Sequence, residues 1–473
     1  MDKHNGLIEA IEAFQTTQKH QFHMPSHSGR YINSDFKGLL DQSNIQGFNR
    51  AARRAFNNVQ GLEFIDGLIG DLGQLYHDAF SSKLTLYLQN GQTAGNHIVS
   101  LCLAGKNVLI QSNTHISVHS GLQLAGSKIY FVQPDYNQEY DIFLPIRPHQ
   151  IAEILDENPE INAIYLTNPT IDGLCFDTQE IKNLIGDRLL IIDETHGAHF
   201  YFSDQCPQAA LTSGADVSVT SVSTTLGGLQ GTGLLNIGRQ SKIDAGKIKS
   251  NYFMLGTTTP SPLLICDVEG TVKTFSQNGN NLINDAIKNA WRAKQTFNHI
   301  DSIKVFDQDG VQKDPIKLII RVKGMGGQQL AKKLHDLNIQ VEKVTRKAVL
   351  LTVHSLIQES EIEHFVAAMT EIANTYSGID DESTPELAAQ YQDPLINKIL
   401  NKREIVMDIR DCFASETETI QLQGALGRIS AEIKYKCPSG IPVLLYGEKI
   451  QENHILLFKE AKELIKVIQQ LSE

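Results

Sequence analysis

Two spacings of apolar residues alternate along the middle of this chain. Short continuous apolar runs, such as Leu189-Leu190-Ile191-Ile192, give way to stretches where apolar residues recur every three or four positions. The first spacing predicts strands buried on both faces, and the second predicts amphipathic helices. Strands are predicted over 84–88, 106–110, 128–132, 161–166, 189–193 and 217–222. Helices are predicted over 97–104, 151–158 and 178–185. A strand and its crossover helix repeating at roughly 20–30 residues make a parallel sheet, with ligands seated beyond the carboxyl ends of the strands. Asn90, His115, Thr170, Asp193 and Ser221 to Thr224 lie at or just past those ends. They are expected to converge on one site.

The flanks follow a different pattern. A short amphipathic helix is predicted over 7–14, and a helical pattern runs over 61–80. Residues 263–300 are largely helical. Strands at 316–322, around 341 and at 349–352, with helices over 328–337 and 358–376, form a small α+β domain. The acidic stretch 377–384 (SGIDDEST), with Pro385 behind it, reads as a linker. A last helix is predicted over 455–471. The expected division is an N-terminal segment (1–60), a large domain (61–262), the small domain (263–376), a linker (377–393) and a third unit (394–473).

Charge narrows the partners. Lys plus Arg number 42 and Asp plus Glu 54, a formal net charge of −12, and no basic cluster offsets it, so nucleic acid is not expected. The six cysteines are scattered without a CxxC pair. The first residues carry no basic-then-apolar signal pattern, and no apolar run reaches the roughly 18 residues of a membrane span. A cytoplasmic protein with reduced thiols is expected. His196 and His199 stand three apart near Asp193 and His115, but no metal is expected there.

The strand ends carry five motifs: Asn90-Gly91-Gln92-Thr93-Ala94-Gly95-Asn96, Asn113-Thr114-His115-Ile116-Ser117, Asp193-Glu194-Thr195-His196-Gly197-Ala198-His199, Ser221-Val222-Ser223-Thr224-Thr225-Leu226-Gly227 and Phe22 to Arg30. A strand, a Gly-containing turn and a helix present free N–H groups and a positive helix end to an anion. Together with the 427–432 and 438–448 stretches of the third unit, these motifs resemble the bacterial ornithine/lysine/arginine decarboxylase family over nearly the whole chain. The resemblance implies an α/β fold: a fold-type-I, aspartate aminotransferase-like large domain with a mainly parallel sheet, a small α+β domain and a family-specific C-terminal domain. It implies pyridoxal 5'-phosphate as cofactor. Gln92, Thr93, Ala94, Ser221 and Ser223 would cradle the phosphate, His115 would stack on the pyridine ring, Asp193 would face its nitrogen, and His196 would border it. Thr257, in a loop over 252–262, would reach the phosphate of a neighbouring subunit, so a homodimer is expected.

The chain departs from the family where the chemistry is done. The lysine that anchors the cofactor is replaced by Thr224, and the histidine before it by Ser223. Ser26 and Ser28 replace a glycine and a lysine of the N-terminal motif, and Ile171 replaces an aromatic residue. A threonine hydroxyl cannot form an imine, and it is too weak an acid or base to move protons as an amine does. Lys242, Lys247 and Lys249 follow the site in sequence, but nothing in the pattern places them at it. The expected function is a homologue degenerate for decarboxylation that binds cofactor, amino acid or polyamine without efficient turnover. The alternatives are an active pyridoxal-phosphate-dependent basic amino acid decarboxylase, or an enzyme that uses pyridoxal or pyridoxamine phosphate without a lysine.

Overall fold

The structure is a computed structural model that describes residues 20–26, 30, 32, 37–38, 73–257, 260–375, 393–436, 441–458 and 463–469. The helix expected over 7–14, most of the 61–80 pattern, Ser28 and the acidic linker lie outside these residues.

Seven strands build the main sheet: β1 (Ser82–Leu88), β2 (Asn107–Gln111), β3 (Lys128–Val132), β4 (Ala163–Thr167), β5 (Leu189–Glu194), β6 (Val217–Ser221) and β7 (Gly233–Gly238). They hydrogen-bond in the order β1-β7-β6-β5-β4-β2-β3. The pairs from β6 to β3 are parallel. Only β7 runs against its neighbours β6 and β1. The 222–232 connection between β6 and β7 is too short for a crossover of a dozen or more residues, so the chain must turn back.

The continuous apolar runs are explained by helices on both faces of the sheet. Val108, Ile110, Tyr165 and Ile191 point into one core, while their neighbours Leu109, Ile164, Leu190 and Ile192 point into another. Each strand therefore splits its apolar residues between two faces with period two.

The helix after β1 starts earlier than the pattern predicts. It is α1 (Gly91–Cys102) and not a helix from 97, because the turn is compressed into Asn90-Gly91, with Gly91 at φ +63°. Gly95 seats this helix on the sheet. A Cβ there would lie 2.6 Å from Leu88 Cδ1 and 2.7 Å from Val219 Cγ1. Helices α2 (Ile116–Leu124) and α3 (Val222–Thr225) follow β2 and β6. Val222, expected to end a strand, opens that helical turn instead, and the Ser221 side chain caps it by accepting from Thr224 N.

A 37-residue helix, α4 (Pro262–Asn298), runs through two cores. Its first part (Ile265, Val268, Val272, Phe275) packs on the large sheet, and its end (Ala290, Ala293, Phe297) packs in the small domain. The small sheet has four antiparallel strands: Ile303–Val305, Lys317–Val322, Val349–Thr352 and Lys343–Val344. The strand His20–Phe22 pairs in parallel with Ile339–Val341, tying the start of the described chain to this domain.

The helix expected over 455–471 is not formed. A short helix, Glu452–Leu457, is followed by the strand Leu464–Ile468, antiparallel to Thr417–Gln421. Ile465 and Val467 are buried while Leu464 and Lys466 face out, and this alternation outweighs the helical spacing. The third unit meets the large domain through Arg403. That buried guanidinium donates to Glu448 Oε2 at 2.8 Å and lies over the Phe131 ring of β3. Among the described residues no helix is long and apolar enough to cross a membrane.

Replacing Gly95 with valine should overpack the α1–sheet contact. The expected loss is about 1–3 kcal/mol of stability, read as a lower denaturant midpoint at unchanged slope.

Candidate functional site

The carboxyl ends of β2, β4, β5 and β6 open into one cavity of about 210 Å³. Gln92, His115, Thr170, Asp193, His196 and Thr224 line it, and of the residues expected at the strand ends these include His115, Thr170, Asp193 and Thr224. Asn90, Thr93, Ala94, Ser221, Ser223 and Thr257 are not among its lining residues. Ser221 is fully buried behind Thr224, Thr93 is exposed on α1, and Thr257 is exposed after the helix Ala245–Leu255.

One wall is the amino end of α1. Its N-cap, Asn90, makes no side-chain cap hydrogen bond, so no side chain from that position quenches the first-turn N–H groups. Gly233 of β7 lets this turn lie close to the sheet, since a Cβ there would be 3.2 Å from Gln92 N and 3.0 Å from Thr220 O. Gln92 brings the amino end of this 12-residue helix to the cavity wall, and the free N–H groups and positive end of such a terminus suit phosphate or carboxylate.

The floor is Asp193. Its Oδ2 accepts from Asn96 Nδ2 at 3.0 Å, and its Oδ1 accepts from Thr195 N at 3.2 Å and Thr195 Oγ1 at 2.5 Å. Asn96 also donates to Ser117 Oγ and accepts from Tyr165 OH, each at 2.8 Å. His115 is the N-cap of α2, and its Nδ1 accepts from Ser117 N at 3.2 Å. The network therefore puts the ring proton on Nε2. Burial lowers the His115 pKa, with Asp193 opposing, so the imidazole is neutral. Burial also pushes His196 well below its ordinary range, with Lys317 adding to the effect.

The side nearest β6 is made of hydroxyls. Thr224 Oγ1 donates to Ser221 Oγ at 2.6 Å, and Ser221 Oγ lies 3.2 Å from Ser223 Oγ. The loop after His20–Phe22 closes over them: Ser26 N donates to Ser223 O at 3.1 Å, and the Ser26 hydroxyl donates to Thr224 O. The serine at position 26 is fully buried and locks the N-terminal segment onto the turn that carries Thr224.

Several lining residues were not anticipated. Lys343 and Glu342 come from the small domain, Asp172 from the turn after β4, Phe143 from a short strand, and Ile441 from the third unit. Lys343 is the one lysine lining the cavity among the described residues. Its Nζ donates to both Asp172 oxygens, at 3.0 and 2.9 Å. Lys242 is elsewhere, bonded to Asp187 on the surface, and neither Lys247 nor Lys249 lines the cavity. Arg428 is held by Glu418 and Ile468 O inside the third unit and does not border the cavity. His196 and His199 diverge, the latter fully buried against Asp314 at 3.1 Å. Among the described residues no group of three or more His, Cys, Asp or Glu side chains is arranged to hold a metal.

The residues present fit a phosphate-bearing pyridine. The helix end offers anion donors, the imidazole a flat face, and Asp193 a carboxylate with lone pairs to spare. They do not offer a free lysine.

The profile of the Orn/Lys/Arg decarboxylase major domain matches residues 6–313. The chain is 28% identical over 466 residues to arginine decarboxylase of Bacillus subtilis (strain 168), covering 95% of this chain and 92% of that one. It is 21% identical to the inducible lysine decarboxylase of Escherichia coli (strain K12), over 83% of this chain and 66% of that one. Its structure is similar to the constitutive lysine decarboxylase of E. coli, with a TM-score of 0.69, 17% identity, and coverage of 98% of this chain and 81% of the other. Lysine decarboxylase A of Pseudomonas aeruginosa gives the same TM-score at 18% identity, over 96% and 75%. At such identities the likeness shows the fold, which is fold-type-I α/β with a mainly parallel central sheet.

Glu194, next to Asp193, supplies a pH test of the site's interior. Burial raises its pKa from 4.5 to about 8, although Ala210 N and Tyr201 OH donate to it. The folded protein thus binds this proton more tightly than the unfolded chain. The stability it contributes is present below pH 4.5 and is lost as pH rises through about 8. Melting temperatures of wild type and Glu194→Gln across this range should diverge, with the amide variant losing less stability as pH rises.

Proposed function

The chain belongs to the Orn/Lys/Arg decarboxylase family, and from that premise we propose that it holds a pyridoxal-phosphate-type cofactor without a covalent bond and does not decarboxylate efficiently. Thr224 carries this reading. It is buried at the end of β6, it lines the same cavity as Asp193 and His115, and its hydroxyl is spent on Ser221.

In this reading the N–H groups of Gln92, Thr93 and Ala94 hold the phosphate, and Ser221 and Ser223 support the turn behind Thr224. His115 lies against the ring, Asp193 faces the ring nitrogen, and His196 closes the side. A homodimer in which Thr257 reaches the neighbouring subunit's phosphate belongs to the same reading. When bound, the cofactor supplies an electron sink for charge developing at the α-carbon of an amino acid. The residues of this chain bind and orient it and exclude water. Among the described residues no free lysine lines the cavity to hold it covalently or to carry a proton at that position. Loss of one positioned acid–base group costs about 10²–10⁴ in rate, and loss of the covalent route adds to that.

One observation favours a second reading, active decarboxylation of a basic amino acid. Lys343 lines the cavity and is only 13% exposed. Both its hydrogen bonds to Asp172 would have to break before it acted as a nucleophile, which argues for a binding role instead.

Titration with pyridoxal phosphate, borohydride treatment and intact-mass measurement separate the two. Saturable binding with no stable adduct, and no agmatine, cadaverine or putrescine released from the parent amino acids, is the expected result. A single adduct at Lys343, with amine release abolished by Lys343→Ala, would establish the second reading in its place. Thr224→Lys should gain the adduct.

A further inference from the structure

We propose that the cavity selects the amine form of the cofactor, pyridoxamine phosphate, over the aldehyde form. The inference rests on the reading that a phosphate-bearing pyridine binds here, and it adds which chemical form is held.

The first argument is hydrogen-bond polarity. The one hydrogen of the Thr224 hydroxyl goes to Ser221 Oγ at 2.6 Å, so toward the cavity this side chain has only lone pairs to offer. The carbonyl of the same residue is taken by Ser26. At the position of the family's lysine, the hydroxyl therefore offers only an acceptor to any group that reaches it. An ammonium is a donor without lone pairs, and an aldehyde oxygen is an acceptor without hydrogens. An aldehyde turned to this hydroxyl would set acceptor against acceptor in a buried place, which is penalised, whereas an ammonium there makes a charge-assisted hydrogen bond.

The second argument is charge. Three carboxylates line the cavity (Asp172, Asp193, Glu342) against one ammonium, Lys343. Lys343 is occupied by Asp172, and both lining imidazoles are held neutral by burial. Glu342 Oε2 accepts from Met24 N at 2.7 Å, and Asp193 accepts from the neutral donors Asn96 and Thr195. With Asp193 facing the ring nitrogen and Asp172 paired with Lys343, Glu342 is left as a formal negative charge without a cationic partner on the lining. A cationic substituent on the ring balances part of this excess, and an aldehyde balances none.

The test compares equilibrium affinities of the full-length protein for three probes sharing the phosphate and ring. These are pyridoxamine phosphate, pyridoxal phosphate and deoxypyridoxine phosphate, which has a methyl group at the variable position. The amine should bind about tenfold or more tightly than the other two, as one charge-assisted hydrogen bond implies. Thr224→Val should narrow the amine's advantage over the methyl probe several-fold while leaving the share set by the lining carboxylates, and Thr224→Ser should keep the preference in full. Should the valine variant fail to fold, the wild-type affinities and the serine variant decide. Equal affinities in the wild type, or tighter binding of the aldehyde, would overturn the selection while leaving the phosphate-and-ring site standing. Binding of none of the three would overturn both.

Discussion

The geometry of the site depends on Asn96. This fully buried amide donates to the Asp193 carboxylate and to Ser117, and it accepts from Tyr165. It thereby joins α1, the end of β5, the start of α2 and the interior of β4. Ser117 passes the constraint on to His115 by fixing its Nδ1 as an acceptor. A buried polar group costs little only when its partners are all in place, so this network holds one arrangement and penalises others. Gly95, one residue earlier, sets how closely α1 can approach the sheet. Two adjacent positions thus determine where the helix end, the carboxylate and the imidazole stand relative to one another.

Around that fixed frame the chemistry has changed in one direction. Thr224, Ser221, Ser223 and Ser26 form a hydroxyl cluster at the end of β6, each paired with another member or with its backbone. Such groups titrate far from neutral pH and make no imine, so they keep the cavity polar without making it reactive. Thr195 adds a hydroxyl bonded to Asp193. On the proposed reading, such a site holds a ligand without transforming it efficiently.

Much of this was legible in the strand pattern. Continuous apolar runs at regular intervals place Asp193, His115, Thr170 and Thr224 at the same edge of a parallel sheet, and the cavity holds all four. The start of α1 was misplaced because Asn90-Gly91 signals a turn without saying how short it is. The 464–468 strand was hidden because a five-residue alternation fits inside a helical spacing when apolar residues are dense. Lys343, Asp172, Glu342, Phe143 and Ile441 carried no local signal. They reach the cavity from the small domain, the third unit and connecting turns, and only the packing of those parts against the sheet brings them there. Thr93, Ala94 and Thr257 were named from motif position, and Asn90, Ser221 and Ser223 also from their place at strand ends; both fix the neighbourhood of a residue but not whether its side chain faces the cavity.

The two halves of such a site differ in how easily substitution removes them. Anion binding at α1 uses backbone N–H groups, which every residue but proline supplies. It persists as long as Gly91, Gly95 and Gly233 let the helix end lie where it does. Covalent chemistry resides in a single side chain, and one replacement at position 224 abolishes it without disturbing a strand. The Thr224 hydroxyl caps no charge and leaves no buried donor unpaired, because Ser221 accepts both its N–H and its O–H. A threonine at this position therefore puts little strain on the fold. On the proposed reading the chain keeps the architecture of its family and a means of gripping a phosphate without an amine at position 224, and the buried contacts of Thr224 are compatible with that reading.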